Sequence, residues 1–242
     1  MKKLILSILS ILVPLIFYAQ TVNELTDKAQ EAAGNRDFDK AILLYNQAIT
    51  LDSNNVELYL LRAEANNETG AKEKAIADYT KTIALADENI DLPEIYYSRA
   101  FAYADIGNYK AAIEDFNKVK ELDPDNRLVE YRILRVKVKS GLTEEAIIAC
   151  TKKIEENKQD IEAYGIRSEA YFDQGKYRAA VKDMDTVLKI YPVPQAYLLR
   201  GKAKLKLKDI VGAKADFEKV LELKPDNQEA KMLLKDMAKT KE

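Results

Sequence analysis

The chain has 242 residues and not one histidine. That removes the commonest general base and the commonest nitrogen ligand for a metal. Cysteine is nearly as scarce. Cys150 stands alone, so no disulfide can close within the chain and no set of thiolates can hold zinc. Glycine (8 residues) and proline (6) are few, a balance that suits helices rather than a disordered tail. No glycine-rich phosphate loop occurs; GNRDFDKA and GNYKAAI are helix-turn signals. Neither charge sign dominates. The 38 Lys and Arg are interspersed with 40 Asp and Glu, net −2, so nothing favours nucleic acid or an anionic membrane. Acidic pairs such as Glu144-Glu145 and Glu155-Glu156 read as solvated helix surface, and LDPDNRLVE lacks the acidic spacing of a calcium loop. Asn67-Glu68-Thr69 matches a glycosylation acceptor, a triplet short enough to arise by chance. This inventory points to a non-enzymatic protein with no cofactor and no metal.

Long apolar runs are also missing, with one exception at the N-terminus. Lys2-Lys3 precede Leu4 to Phe17, interrupted only by Ser7, Ser10 and Pro14, and Tyr18-Ala19-Gln20 follows. The pattern is that of a secretory signal peptide over residues 1–19, resembling bacterial ones, with cleavage expected after Ala19. Phe17 departs from the small residue usual there. An uncleaved membrane anchor facing the periplasm is the alternative; the run is short for a spanning helix, which needs about 20 residues. No Cys ends the segment, which speaks against a lipid anchor. The expected location is the periplasm or the exterior. Loss of the two lysines would take the net charge from −2 to −4.

What the rest of the chain has is itself, repeated. Segments of equal length begin at Tyr59, Tyr96, Tyr164 and Tyr197; each has Arg three residues on and ends with Asp before an aromatic or Met. Weaker copies run from Leu25 to Tyr45 and between Arg127 and Asp160. Ala41, Ala75, Ala112, Ala146, Ala180 and Ala213 mark the same place in each copy, at intervals of 34, 37, 34, 34 and 33 residues. The long interval holds its insertion at Glu88-Asn89-Ile90-Asp91, where loop length costs little. Tyr96, Ala100 and Tyr103 form a helical stripe, and Ala112, Phe116 and Val119 form a second. Gly107-Asn108 breaks the two apart, and Pro124 and Pro225 end second helices. Asn54 with Glu57 and Asp226 with Glu229 have the spacing of capping boxes. In the fourth copy strict register would turn Glu130 and Lys137 inward; sliding the helix by one residue buries Tyr131, Leu134 and Val138 instead, which is preferred. After Asn227, Ala230, Leu233, Leu234 and Met237 make one apolar stripe, suited to a capping helix over 228–242.

The unit resembles the tetratricopeptide repeat: two antiparallel helices in about 34 residues. The third copy carries the pattern in Tyr96, Ala100, Tyr103, Ala112, Phe116, Val119 and Pro124. The fifth carries it in Tyr164, Ser168, Tyr171, Ala180, Met184, Val187 and Pro192. The sixth follows with Tyr197, Gly201, Ala213, Phe217, Val220 and Pro225, but has Lys204 at the second aromatic position. The resemblance implies an all-α fold, a right-handed α–α solenoid of six helix pairs (22–55, 56–89, 93–126, 127–160, 161–193 and 194–227) plus the capping helix. Cys150 holds the place of Tyr45, Tyr79, Phe116, Met184 and Phe217, so it reads as a packing residue rather than a reactive thiol.

Comparison of the copies exposes a pairing. Arg62 and Asp78, Arg99 and Asp115, Arg167 and Asp183, and Arg200 and Asp216 all stand 16 residues apart. The first copy has Lys28 and Leu44 there, and the fourth an apolar residue and Ala149, so Arg and Asp are present or absent together. An ion pair joining the two helices of a repeat is expected.

In proteins of this family the first helices of successive repeats line a concave groove. The matching positions here are Leu60 and Glu64, Tyr97 and Phe101, Arg135 and Lys139, Glu169 and Phe172, and Leu198 and Lys202. The groove would be acidic in the second, third and fifth repeats and basic in the fourth and sixth. Packing of Phe101 and Phe172 between neighbouring first helices is the alternative to a binding role. The family's carboxylate clamp needs Lys and Asn where this chain has Leu60, Tyr97 and Gly165, and is not expected. The resemblance implies binding of another protein, as an extracytoplasmic scaffold or adaptor taking a peptide or partner helix. A carbohydrate or other non-protein ligand, held by groove aromatics, is the other possibility.

Overall fold

In the computed structural model the described residues are 21–239; residues 1–19, where a signal peptide is expected, lie outside them. They form thirteen helices and no strand. The helices are α1 (21–34), α2 (Phe38–Leu51), α3 (Val56–Glu68), α4 (Lys72–Leu85), α5 (Leu92–Asp105), α6 (Tyr109–Leu122), α7 (Arg127–Lys139), α8 (Thr143–Glu156), α9 (Ile161–Asp173), α10 (Tyr177–Ile190), α11 (Pro194–Lys206), α12 (Ile210–Leu223) and α13 (Gln228–Lys239). They divide into two compact units, one ending at Asn126 and one beginning at Arg127. Each unit is a stack of three helix hairpins, and the second also carries α13. None of the described helices is long and apolar enough to cross a membrane.

The repeated small residue sets the spacing within a hairpin. Ala41, Ala75, Ala112, Ala146, Ala180 and Ala213 all have zero exposure. One turn further along, Tyr45, Tyr79, Phe116, Cys150, Met184 and Phe217 fill the space that the alanines leave, and all are buried. Burial pushes the Cys150 thiol up to about 12, away from thiolate chemistry. The core is a series of clusters, and each borrows from the following hairpin. Ala41, Tyr45 and Ala48 pack with Leu58 and Ala65 of α3. Ala75 and Tyr79 pack with Ile95 of α5. Met184 and Val187 pack with Ala196 of α11. Behind the last hairpin, Phe217 and Val220 are covered by Ala230, Leu233, Leu234 and Met237 of α13.

The fourth repeat adopts the slid register. Leu134 and Val138 are buried, and Tyr131 packs against the same cluster. Glu130 and Lys137 stay at the rim, paired with Lys153 and Glu145. The Tyr131 hydroxyl donates to Asp160 at 2.6 Å.

Two capping assignments shift by one residue. Asn55, not Asn54, caps α3, accepting from the Leu58 N–H at 3.4 Å. Asn227, not Asp226, accepts from the Ala230 N–H at 2.9 Å. In both places a turn occupies the earlier residue: the Asn54 N–H bonds Asp52 Oδ1, and the Asn227 N–H closes a turn onto the Lys224 carbonyl.

The hairpin turn between paired helices is a Schellman motif. In the third repeat the Asn108 N–H reaches the Tyr103 carbonyl at 2.8 Å and the Gly107 N–H reaches Ala104 at 3.1 Å. This demands a left-handed residue. Gly70, Gly107, Gly141 and Gly175 supply it at φ between 72° and 85°, whereas Arg36 (62°) and Lys208 (65°) adopt it at a steric cost.

The four Arg–Asp pairs are bidentate. Arg99 Nε and Nη2 donate to Asp115 Oδ2 and Oδ1 at 2.7 and 2.8 Å; Arg62–Asp78, Arg167–Asp183 and Arg200–Asp216 repeat the geometry at 2.5–3.0 Å. The aspartate side chains keep only 4–8% of their surface and the arginines 13–20%. Tyrosine rings flank each guanidinium. Arg99 lies 5.4 Å from the Tyr96 ring centre and 5.7 Å from Tyr103, and Arg167 lies 5.5 and 5.7 Å from Tyr164 and Tyr171. Where the second tyrosine is replaced, a polar donor joins the aspartate instead. Asn66 Nδ2 reaches Asp78 at 3.1 Å, and Lys204 Nζ reaches Asp216 at 2.9 Å. The remaining arginine nitrogen, Nη1, reaches back to the second helix of the preceding repeat. Its acceptors are Asn46 for Arg62, Thr80 for Arg99, Thr151 for Arg167 and Asp185 for Arg200. One guanidinium thus joins three helices.

Removing one partner of such a pair strands the other. Asp115→Ala should cost on the order of 3–5 kcal/mol. In a double-mutant cycle with Arg99→Ala, denaturant unfolding should give a coupling of about 1–3 kcal/mol; additive costs would show that the pair is energetically idle. Backbone strain generates a second expectation. Arg36→Gly and Lys208→Gly should each raise stability by about 1 kcal/mol, read as a shift in midpoint at unchanged slope. Gly201→Ala should do the reverse, although alanine is the better helix former by about 1 kcal/mol. Its new methyl would lie 2.6 Å from Cε1 of the fully buried Phe217 ring, and overpacking of that kind costs about 1–3 kcal/mol.

Candidate functional site

Each unit has a groove lined chiefly by first helices of its hairpins. In the first unit, Gln30 and Ala33 of α1, Leu61, Glu64, Ala65, Asn67 and Glu68 of α3, and Ser98 of α5 contribute to a cavity of about 420 Å³. Phe38, Tyr45 and Tyr79 from α2 and α4 complete it. In the second unit, Arg135 of α7, Ile161, Glu162, Gly165 and Glu169 of α9, and Leu198, Leu199 and Lys202 of α11 line a cavity of about 400 Å³, with Met184 and Val187 of α10, Tyr191 just after it, and Val193, Gln195 and Ala196. Volumes of this size are typical of sites that take a small group or a few side chains.

The two grooves differ in charge. In the second unit the cations are already matched. Arg135 Nη1 donates to Glu169 at 2.7 Å and Nη2 to Glu162 at 2.9 Å, while Lys202 Nζ reaches Glu229 at 2.9 Å. The basic character expected of the fourth and sixth repeats is therefore largely cancelled at these two positions, and Ile161, Leu198 and Leu199 supply apolar surface beside them. Burial still raises the Glu169 carboxyl, an effect only partly offset by Arg135.

In the first unit the acids have no such partners. Glu64 makes no ion pair with a described residue, and the groove walls desolvate its carboxyl enough to raise its pKa, helped by the charge of Glu94. Its outer surface nevertheless remains exposed. Tyr79 is pushed up to about 12 by burial and by Glu64. The nearby cation, Lys72, is held by Asn67 at 2.7 Å and Asp105 at 3.0 Å.

The remaining expected groove residues are placed differently. Leu60 packs against the cluster of Ala63, Ala75, Tyr79 and Ile95. Tyr97, Phe101 and Phe116 form an edge-to-face trio with ring centres 4.9–5.6 Å apart. Phe172 meets the Tyr177 ring at 5.3 Å, and Lys139 is exposed. None of these lines either cavity. With their rings engaged in the protein, Phe101 and Phe172 do not favour a carbohydrate platform. The sequence reading missed Tyr45 and Tyr79 as groove residues. The available signal was a hydroxyl at a packing position where sister repeats carry Phe, Met or Cys.

The raised Glu64 pKa has a definite sign in stability. A carboxyl that holds its proton more tightly in the fold favours the fold most below the ordinary value of 4.5, and that contribution is lost as pH rises through the raised value. Glu64→Gln should therefore lose less stability than the parent between pH 4.5 and neutrality. Parallel pH profiles of the two proteins would contradict the assignment.

Comparison with known proteins agrees with this geometry. Tetratricopeptide repeat profiles match residues 26–90 and 167–228, and a further one matches 93–126. A tetratricopeptide repeat protein from Parabacteroides merdae has a similar solved structure, with TM-score 0.67 and 26% identity, covering 90% of this chain and 84% of that one. RNA polymerase II-associated protein 3 of Xenopus tropicalis is 35% identical over 119 residues, 49% of this chain and 18% of that protein. DnaJ homolog subfamily C member 3 of Bos taurus is 25% identical over 222 residues, 90% of this chain and 38% of that protein. The chain thus spans well under half the length of these two relatives. Such repeats generally mediate protein–protein contacts and are typically non-enzymatic. The chain belongs to the tetratricopeptide repeat family.

Proposed function

We propose that this protein is a non-enzymatic scaffold or adaptor that holds a peptide or helix of a partner protein in its grooves, outside the cytoplasm. The observation that carries the reading is the pair of cavities on the first-helix side, about 420 and 400 Å³, where polar groups and apolar surface lie together. The location rests on the sequence of residues 1–19: Lys2-Lys3, the apolar run to Phe17, and the cleavage site expected after Ala19. If that segment is retained, the protein would face the same compartment from the membrane.

Site-specific photocrosslinking in the native cell tests the reading. A crosslinker at Asn67 or Leu198 should yield protein adducts, while one at Val211 or Ile148, exposed on second helices, should yield few. Adducts confined to Val211 and Ile148 would move the contact off the grooves. The mature chain should begin at Gln20 and fractionate with the cell envelope; recovery from the cytoplasm with an intact N-terminus would contradict the location.

A further inference from the structure

The groove of the first unit contains a mismatch in its chemistry. Glu64 sits between walls that desolvate it, Glu68 lines the same cavity, and the charge of Glu94 reaches it, yet no described cation pairs with Glu64. Lys72, at the margin, is spent on Asn67 and Asp105. The second observation is independent of the acids. Tyr45 lines this cavity with 1% of its surface exposed, and its hydroxyl makes no hydrogen bond to any described residue. Its counterpart Tyr79 has Ser98 beside it, which works against the rise in its pKa. The Tyr45 ring is buried, but its oxygen is not a buried unbonded atom; it opens on the cavity, where a polar group from outside can bond it. A phenol with a free oxygen beside an unpaired carboxylate is a receptor for a donor that carries positive charge. Ala33, Leu61 and Ala65 offer apolar wall along which an aliphatic stem can lie.

We infer that the groove of the first unit receives a lysine or arginine side chain from an extended partner peptide, its cation set against Glu64 and donating a hydrogen bond to the Tyr45 hydroxyl. The inference rests on the reading that the grooves bind peptides, and it adds which groove and which chemistry. A metal ion is the poorer occupant: among the described residues no group of three or more acidic or sulfur ligands could hold one. In the second unit the matched charges of Arg135 and Lys202 give no comparable demand.

The test uses the full chain and fluorescein-labelled peptide pools with randomised flanks and a central residue fixed as Arg, Lys, Gln or Glu. Fluorescence anisotropy should show the Arg and Lys pools binding about tenfold more tightly than the Gln pool, and the Glu pool most weakly. Glu64→Gln should remove most of that gap. Tyr45→Phe, which keeps the packing of the ring, should reduce it severalfold, while Lys110→Gln, on the exposed surface of α6 away from both cavities, leaves it unchanged. A gap that survives Glu64→Gln, equal binding of all pools, or spermidine displacing the Arg pool at concentrations below those of the peptide would overturn the inference. Equal binding that is abolished by Leu198→Asp would do so while leaving peptide recognition in place. Absence of binding by every pool would overturn both.

Discussion

The fold depends on the fact that none of these hairpins can cover its own apolar face. Ala75 and Tyr79 need Ile95 from the next hairpin, and Met184 and Val187 need Ala196. Phe217 and Val220, with no hairpin after them, need α13. A buried aromatic or aliphatic side chain of this kind contributes about 1.5–3 kcal/mol, so the shared surface outweighs the weak intrinsic preference of short helices to form. Stacking follows directly, and with it the separate grooves of the two units, since first helices set side by side leave their outer surfaces open.

The arginine fork adds direction to that packing. Hydrophobic contact alone would tolerate rotation of one hairpin against another. A guanidinium that makes two bonds to the aspartate of its own hairpin and one to the preceding hairpin does not. The aspartates are nearly buried, so the cost of desolvating the pair offsets much of its attraction, while its fixed geometry constrains how the hairpins meet. The fourth repeat lacks the fork and meets the same need with Tyr131 on Asp160 and Lys153 on Glu130.

Much of this was legible in the sequence, because its signals are periodic. The alanine intervals located all six hairpins, and the apolar stripe from Ala230 to Met237 identified the covering helix. The register of the fourth repeat followed from asking which side chains could leave water. Less legible were features that join different repeats at changing offsets. The backward arm of each arginine meets Asn46, Thr80, Thr151 or Asp185; these polar residues all stand five places after the marker alanine, a regularity visible only once the arginine is known to reach there. Groove charge was harder still. Arg135 and Lys202 look free in sequence and are paired in space, whereas Glu64 looks ordinary and has no ion pair with any described residue. Tyr97 and Phe101 were assigned to the groove by position, but their rings turn to Phe116.

The dependence of each hairpin on its neighbour is open to direct measurement. Far-UV circular dichroism of the isolated third repeat, residues 93–126, compared with the three stacked repeats 22–126, addresses it most simply. The account predicts a largely non-helical single repeat that melts without cooperativity, and a helical, cooperatively melting stack. A single repeat that is fully helical and melts sharply on its own would contradict it.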